Sequence, residues 1–233
     1  MRAILLAPPL GWVFPVVAAA SLAGYLWVDL PTLIWVRETV SEETRQIFYR
    51  ITAFGGATGY IVGLVLILAV SHVGRRLKRY EHAHERLILT GVRAWYVLLA
   101  LVTSGVAHHA IKIGLGRARP KLWLEQEFYG LNPFNLTSGE NGFPSGRSQT
   151  AFAFFVALAF IWPRHALVLI GVAAAIGVSR VALMAHYPSD VLFGAYVGIV
   201  AAVLLKRHYL EPRTKSLLIK AATGDYETRD PNG

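Results

Sequence analysis

The sequence predicts an all-α membrane protein, a bundle of six transmembrane helices with both termini on the cytoplasmic side. Three observations carry this. Hydrophobic residues make up 55% of the 233-residue chain against 16% charged, and the mean hydropathy is positive, as in chains whose solvent is lipid. Apolar runs recur at spanning length. The basic residues segregate: with six spans and the N-terminus inside, 14 of the 23 Lys and Arg fall on the cytoplasmic side, and most of the other nine lie in three polar blocks on the opposite side.

Residues 3–28 carry no charge and form the first expected span, with Pro8, Pro9 and Pro15 at its entrance and as a kink. A cleaved leader is the alternative, but its charged region would be Arg2 alone. From Asp29 to Arg50 the sequence turns polar, and Thr39-Val-Ser-Glu42 reads as a capping box that opens a short extracytoplasmic interfacial helix, with Ile47, Phe48 and Ile51 at helical spacing. Residues 53–73 are a glycine-rich second span. A loop with Arg75, Arg76, Lys78, Arg79 and Arg86 is cytoplasmic. The third span, about 94–115, delivers His108, His109 and Lys112 to the far side. The roughly 30 residues that follow are too long and mixed for a tight turn and so read as functional. Spans four (to Trp162), five (166–183) and six (188 to about 206) complete the bundle. Residues 1–220 then form one membrane-embedded domain, and 221–233 a disordered tail.

The chemistry concentrates between Lys112 and Asp190. The first block runs from Lys112 to Arg119-Pro120; the second is Pro144-Ser145-Gly146-Arg147; the third has Ser179-Arg180, then His186 and Asp190. Lysine and arginine suit the non-bridging oxygens of a phosphate ester, and an imidazole can attack its phosphorus. A Pro-Ser-Gly turn opening a helix presents backbone amides to an anion. Four residues separate His186 from a carboxylate that can hold its tautomer. Each of the first two blocks alone also fits a plain helix anchor or turn. The net charge of +9 points to anionic lipid and topology and not to nucleic acid, because the cations lie between apolar runs. The absence of cysteine excludes thiolate metal sites and a cysteine nucleophile. No metal and no cofactor are expected. A transporter fits poorly, since the charges gather at one membrane edge.

Together the blocks resemble the type 2 phosphatidic acid phosphatase superfamily of membrane lipid phosphatases. The resemblance implies a phosphohistidine mechanism with His186 as nucleophile and Asp190 orienting it. Lys112, Arg119, Ser145, the Gly146 amide and Arg180 would then bind the phosphoryl oxygens. The substrate would be a phospholipid, lipid A or an isoprenoid phosphate or diphosphate, in a bacterial inner membrane with the site facing the periplasm. One departure stands out. The family's second block ends in a histidine that protonates the leaving oxygen, and Arg147 stands in its place. A guanidinium is a poor proton donor at neutral pH. The sequence therefore also admits a homologue that binds lipid phosphate without turnover, or an enzyme biased toward leaving groups stable as anions. His108 and His109, about one turn deeper than Lys112, read first as packing residues, with a substitute acid as the alternative.

Overall fold

The computed structural model describes residues 10–134 and 141–223. Among them every regular element is helical. Helix α1 (Leu10–Ala23) passes through one π-helical turn (Gly24–Val28) into α2 (Asp29–Thr39), then α3 (Glu42–Ala53), α4 (Ala57–Gly74), α5 (His84–Leu115), the short α6 (Pro120–Gln126), α7 (Gly146–Ile161), α8 (Ala166–Ala182) and α9 (Pro188–Leu205). A second π-helical turn (Lys206–Leu210) leads into α10 (Glu211–Thr223).

Five helical segments are long and apolar enough to cross a bilayer: Trp12–Thr39, Glu42–Gly74, His84–Leu115, Pro163–Ala182 and Pro188–Ile219. The sixth expected span, α7, has 16 residues, about 24 Å at helical rise. It is the centre of the bundle, packed on α5, α8 and α9, and buries Ala151, Ala153, Ala157 and Ala159. Outward, α1 and the π-helical turn after it, α4 and α8 expose Trp12, Val16, Trp27, Val65, Leu66, Val70, Leu167 and Val168, the apolar surface a multi-pass membrane protein turns to lipid.

Several boundaries differ from expectation. The first helix continues from Val28 to Thr39 instead of ending at Asp29. Asp29 is fully buried and ion-paired with Arg117, so its charge does not end the span. The cap of α3 is Ser41, whose Oγ accepts from the Thr44 amide at 3.3 Å, two residues after the expected Thr39. Helix α5 starts ten residues early, with Glu85 and Arg86 in exposed first turns. Past Lys206 the chain stays helical to Thr223, held by Lys206, which pairs with Glu211 at 3.1 Å and lies over the Phe160 ring. Of the tail expected to be disordered, residues 221–223 are helical and 224–233 lie outside the described residues, as do 1–9 of the expected first span.

Two contacts set the positions of the polar blocks. Helices α7 and α9 touch backbone to backbone: a Cβ on Gly194 would lie 2.5 Å from the Ser145 carbonyl oxygen, and one on Gly198 would lie 2.5 Å from that of Gln149. This small-xxx-small contact brings the starts of both helices together. Helix α5 ends at Gly116, whose φ of +53 is left-handed and whose Cβ would fall 1.8 Å from the Asn132 oxygen. Only glycine fits there, and the turn directs Arg117 and Arg119 back over the bundle. Gly116→Ala is expected to lose about 1–3 kcal/mol from backbone strain alone, with further loss from the overlap. A thermal unfolding midpoint in detergent that does not move would refute this.

Candidate active site

The three blocks meet at one end of the bundle, around a cavity of about 800 Å³. Six of the eight residues assigned to the site from sequence line it, Lys112, Arg119, Gly146, Arg147, Arg180 and His186, with His108 and His109 beside them. The other two, Ser145 and Asp190, are fully buried just beneath. Below the charged end, the lining becomes apolar with Ile61, Leu101, Val102 and Val106.

Ser145 is the N-cap of α7. Its Oγ accepts from the Ser148 amide at 3.4 Å and bonds the Ser148 hydroxyl at 2.9 Å, while its own amide donates to the Asp190 carbonyl at 2.9 Å. The structure therefore places Ser145 outside the cavity lining, as the residue that aims the free amides of the α7 first turn. Gly146 leaves room for a neighbouring ring: a Cβ there would sit 3.0 Å from Nε2 of His108.

Arg180 lies in the last turn of α8, and the chain that follows folds over it, with the Ala185 and His186 amides both donating to the Arg180 carbonyl. That wrap sets His186 at the cavity wall, 6% exposed. Asp190 occupies the third residue of α9, and its Oδ2 accepts from the Tyr187 amide at 2.9 Å. The sequence spacing anticipates a hydrogen bond between Asp190 and His186. The observed Nδ1–Oδ2 separation is 3.6 Å, too long for one, and Nδ1 has no partner. Such contacts tighten when the ring gains charge. Burial pushes the His186 imidazole below its ordinary value, Asp190 works in the opposite direction, and Arg180 and Arg119 add to the lowering. The ring is thus held neutral, the form that can act as a nucleophile.

Asp190 is held by groups that the sequence reading did not assign. Its Oδ1 pairs with Nη1 of Arg117 at 2.5 Å, and the second guanidinium nitrogen pairs with Asp29 at 2.7 Å. Ser189 donates its amide (3.1 Å) and hydroxyl (2.5 Å) to Asp29 and accepts from Arg117. Tyr25, Tyr129 and Tyr187 surround the Arg117 guanidinium at 4.8, 5.5 and 4.4 Å from their ring centroids. Burial opposes the Arg117 charge, but Asp190 and Asp29 outweigh it and hold the group above its ordinary value. One signal for Asp29 existed: it closes a 26-residue uncharged run, where an ionisable residue needs a partner.

Thr52, at the end of α3, is the second unassigned group. Its hydroxyl accepts from Arg180 at 2.8 Å and from Arg147 at 3.2 Å, so two cations converge on one neutral oxygen with no carboxylate between them. Arg119 is steadied by the Asn141 carbonyl at 3.3 Å. Among the described residues no three His, Asp or Glu side chains gather as a metal-binding group. The cavity thus offers an anion four side-chain cations, helix-terminal amides and a neutral imidazole on a carboxylate that is itself anchored.

The chain is 29% identical over 207 residues to a lipid A 1-phosphatase of Rhizobium etli, covering 86% of this chain and 88% of the relative. It is 31% identical over 161 residues to a lipid A 1-phosphatase of Rhizobium johnstonii, with 67% and 66% covered. Its fold is similar to the crystal structure of Aquifex aeolicus LpxE, at TM-score 0.56 and 20% identity over 78% of this chain and 96% of that one. It is also similar to a transmembrane PAP2-type phosphatidylglycerolphosphate phosphatase from Bacillus subtilis, at TM-score 0.58 and 20% identity over 85% and 92%. A family model, the PAP2 superfamily, matches residues 93–213, the segment that holds all three blocks and most of the residues lining their cavity, and the chain belongs to that superfamily.

Proposed function

We propose that this membrane phosphatase removes the terminal phosphoryl group of a lipid phosphate or diphosphate at the outer leaflet of a bacterial inner membrane, through a phosphohistidine at His186. The observation that carries the reading is the make-up of the cavity, cationic at the surface end and apolar toward the bilayer, which suits a phosphorylated headgroup above a lipid body. A phosphoryl transition state spreads charge over three equatorial oxygens. Lys112, Arg119, Arg147, Arg180 and the α7 amides meet that charge without reorganising. His186 forms the bond to phosphorus through the nitrogen facing away from Asp190, and water or an acceptor hydroxyl then takes the phosphoryl group. The Rhizobium relatives favour lipid A among the substrates, with phosphatidylglycerophosphate and isoprenoid diphosphate as the other candidates.

The testing experiment is release of inorganic phosphate by the purified protein in detergent, across lipid A, phosphatidic acid and isoprenoid mono- and diphosphates. Release from at least one supports the reading; saturable binding without release from any identifies a lipid-phosphate binder instead. Orientation has its own test. Six spans with both termini cytoplasmic follow from the positive-inside bias, and the chain contains no cysteine to confuse labelling. Gly130→Cys is expected to react with an impermeant maleimide on spheroplasts and Tyr80→Cys is not. The reverse pattern places the site on the cytoplasmic face.

A further inference from the structure

We propose that His108 supplies the leaving-group proton, the role for which position 147 offers only a guanidinium. The proposal rests on the phosphohistidine reading above.

Three observations converge on this residue. Arg147 reaches Thr52 on α3, sharing that hydroxyl with Arg180, and a guanidinium does not give up its proton at neutral pH. His108 is only 4% exposed, yet its Nε2 has no hydrogen-bond partner; a histidine buried only for packing satisfies its nitrogens. Its ring lies against the first residue of α7, where a Cβ on Gly146 would be 3.0 Å from Nε2. The imidazole therefore stands beside the phosphate-binding amides, one residue from where the family places its acid.

Depth within the cavity supplies the chemical argument. Leu101, Gly105, His108 and Lys112 follow one another along one face of α5, all lining the cavity. Lys112 is at the cationic end, Leu101 at the apolar end, and His108 lies about one helical turn, 5.4 Å, from Lys112 toward the apolar part. In a lipid phosphate the atom between the phosphoryl group and the apolar body is the bridging oxygen, the one that needs a proton. Lys112, Arg119, Arg147 and Arg180 fill the cavity with positive charge, and His109 meets the His108 ring edge to face at 5.0 Å. The proton is therefore taken up with the anionic substrate that offsets those cations.

The step balances within the site. A nitrogen of His186 bonds to phosphorus while the phosphorus–lipid oxygen bond breaks, leaving its electron pair on the oxygen. The proton of His108 passes to that oxygen, and a neutral lipid alcohol departs. His108, now neutral, accepts a proton from the water that attacks the phosphohistidine. As phosphate leaves, the proton that His108 took up with the substrate returns to solvent, and both imidazoles are again neutral.

The test uses His108→Gln in the full-length protein with a matched pair, dioctanoyl phosphatidic acid and dioctanoylglycerol diphosphate. Only the first must expel an alkoxide; the second expels a phosphate stable as an anion. Release from the monophosphate is expected to fall 10²- to 10⁴-fold, the contribution of a positioned acid, and release from the diphosphate by less than tenfold. Adding Arg147→His to His108→Gln is expected to recover at least tenfold of the monophosphate activity by returning a donor to the family's position. Equal losses on the two substrates with no recovery overturn the proposal, as does an unchanged monophosphate rate. An unaltered protein that releases phosphate from neither of these substrates nor from lipid A overturns the phosphohistidine reading as well, which separates the two failures.

Discussion

Replacing His186 with alanine is expected to lower phosphate release by at least about 10⁴-fold, the scale on which loss of a nucleophile is felt, while the protein still folds and binds lipid phosphate. The imidazole makes no hydrogen bond through Nδ1, so truncation strands no partner. The comparison with Asp190→Asn is sharper than either variant alone. On the mechanism proposed above, Asp190 stabilises the positive charge that His186 would carry once phosphorylated. At 3.6 Å and an effective dielectric of about 20, that attraction is about 5 kcal/mol before desolvation, a ceiling of about a few thousand-fold in rate. Asp190→Asn is therefore expected to retain severalfold more activity than His186→Ala. Initial-rate measurements on the two folded variants check the order, and equal loss would give Asp190 a role in the chemical step itself.

The second large effect is structural. Arg117→Leu removes the one cation between two fully buried carboxylates, Asp29 and Asp190. Breaking a buried pair by deleting one partner costs about 3–5 kcal/mol because the other charge is left uncompensated. Here two charges are left, so a loss of at least about 3 kcal/mol is expected at pH 7. Thermal unfolding midpoints of parent and variant in detergent test this; an unmoved midpoint would mean that the bridge adds nothing net to stability. Arg117→Lys is expected to rescue little, because an ammonium cannot bridge two carboxylates in one plane or stack among Tyr25, Tyr129 and Tyr187.

The fold and the cavity were legible in the sequence to different depths, for physical reasons. Apolar run length locates α4, α8 and α9 closely, because lipid penalises any interruption. The same logic misplaced the end of the first helix: a charge ends a span only when it has no buried partner, and the partner of Asp29 lies 88 residues away. The convergence of Lys112, Arg119, Gly146, Arg147, Arg180 and His186 follows from block order and topology. The work of Thr52 does not, because a threonine at the end of a surface helix carries no mark until α3 is laid on α8. The family resemblance implies Ser145 as a phosphate ligand, and in this structure α7 uses its hydroxyl as a cap. Short polar side chains at helix starts serve the backbone first.

The Asp29–Arg117–Asp190 bridge bears on where the working unit of this protein ends. The family-matched segment, residues 93–213, contains the part of the cavity wall that α5 to α9 supply, though not Gly55 or Ile61, and invites expression by itself as a minimal catalytic module. Asp29 lies outside it, and so does Thr52. Cut at residue 93, the segment would keep Arg117 with one carboxylate instead of two, and Arg147 and Arg180 without the hydroxyl they share. The amino-terminal helices are therefore not an appendage to a self-contained core. They complete its charge, and the boundary drawn by sequence similarity falls inside a single electrostatic unit.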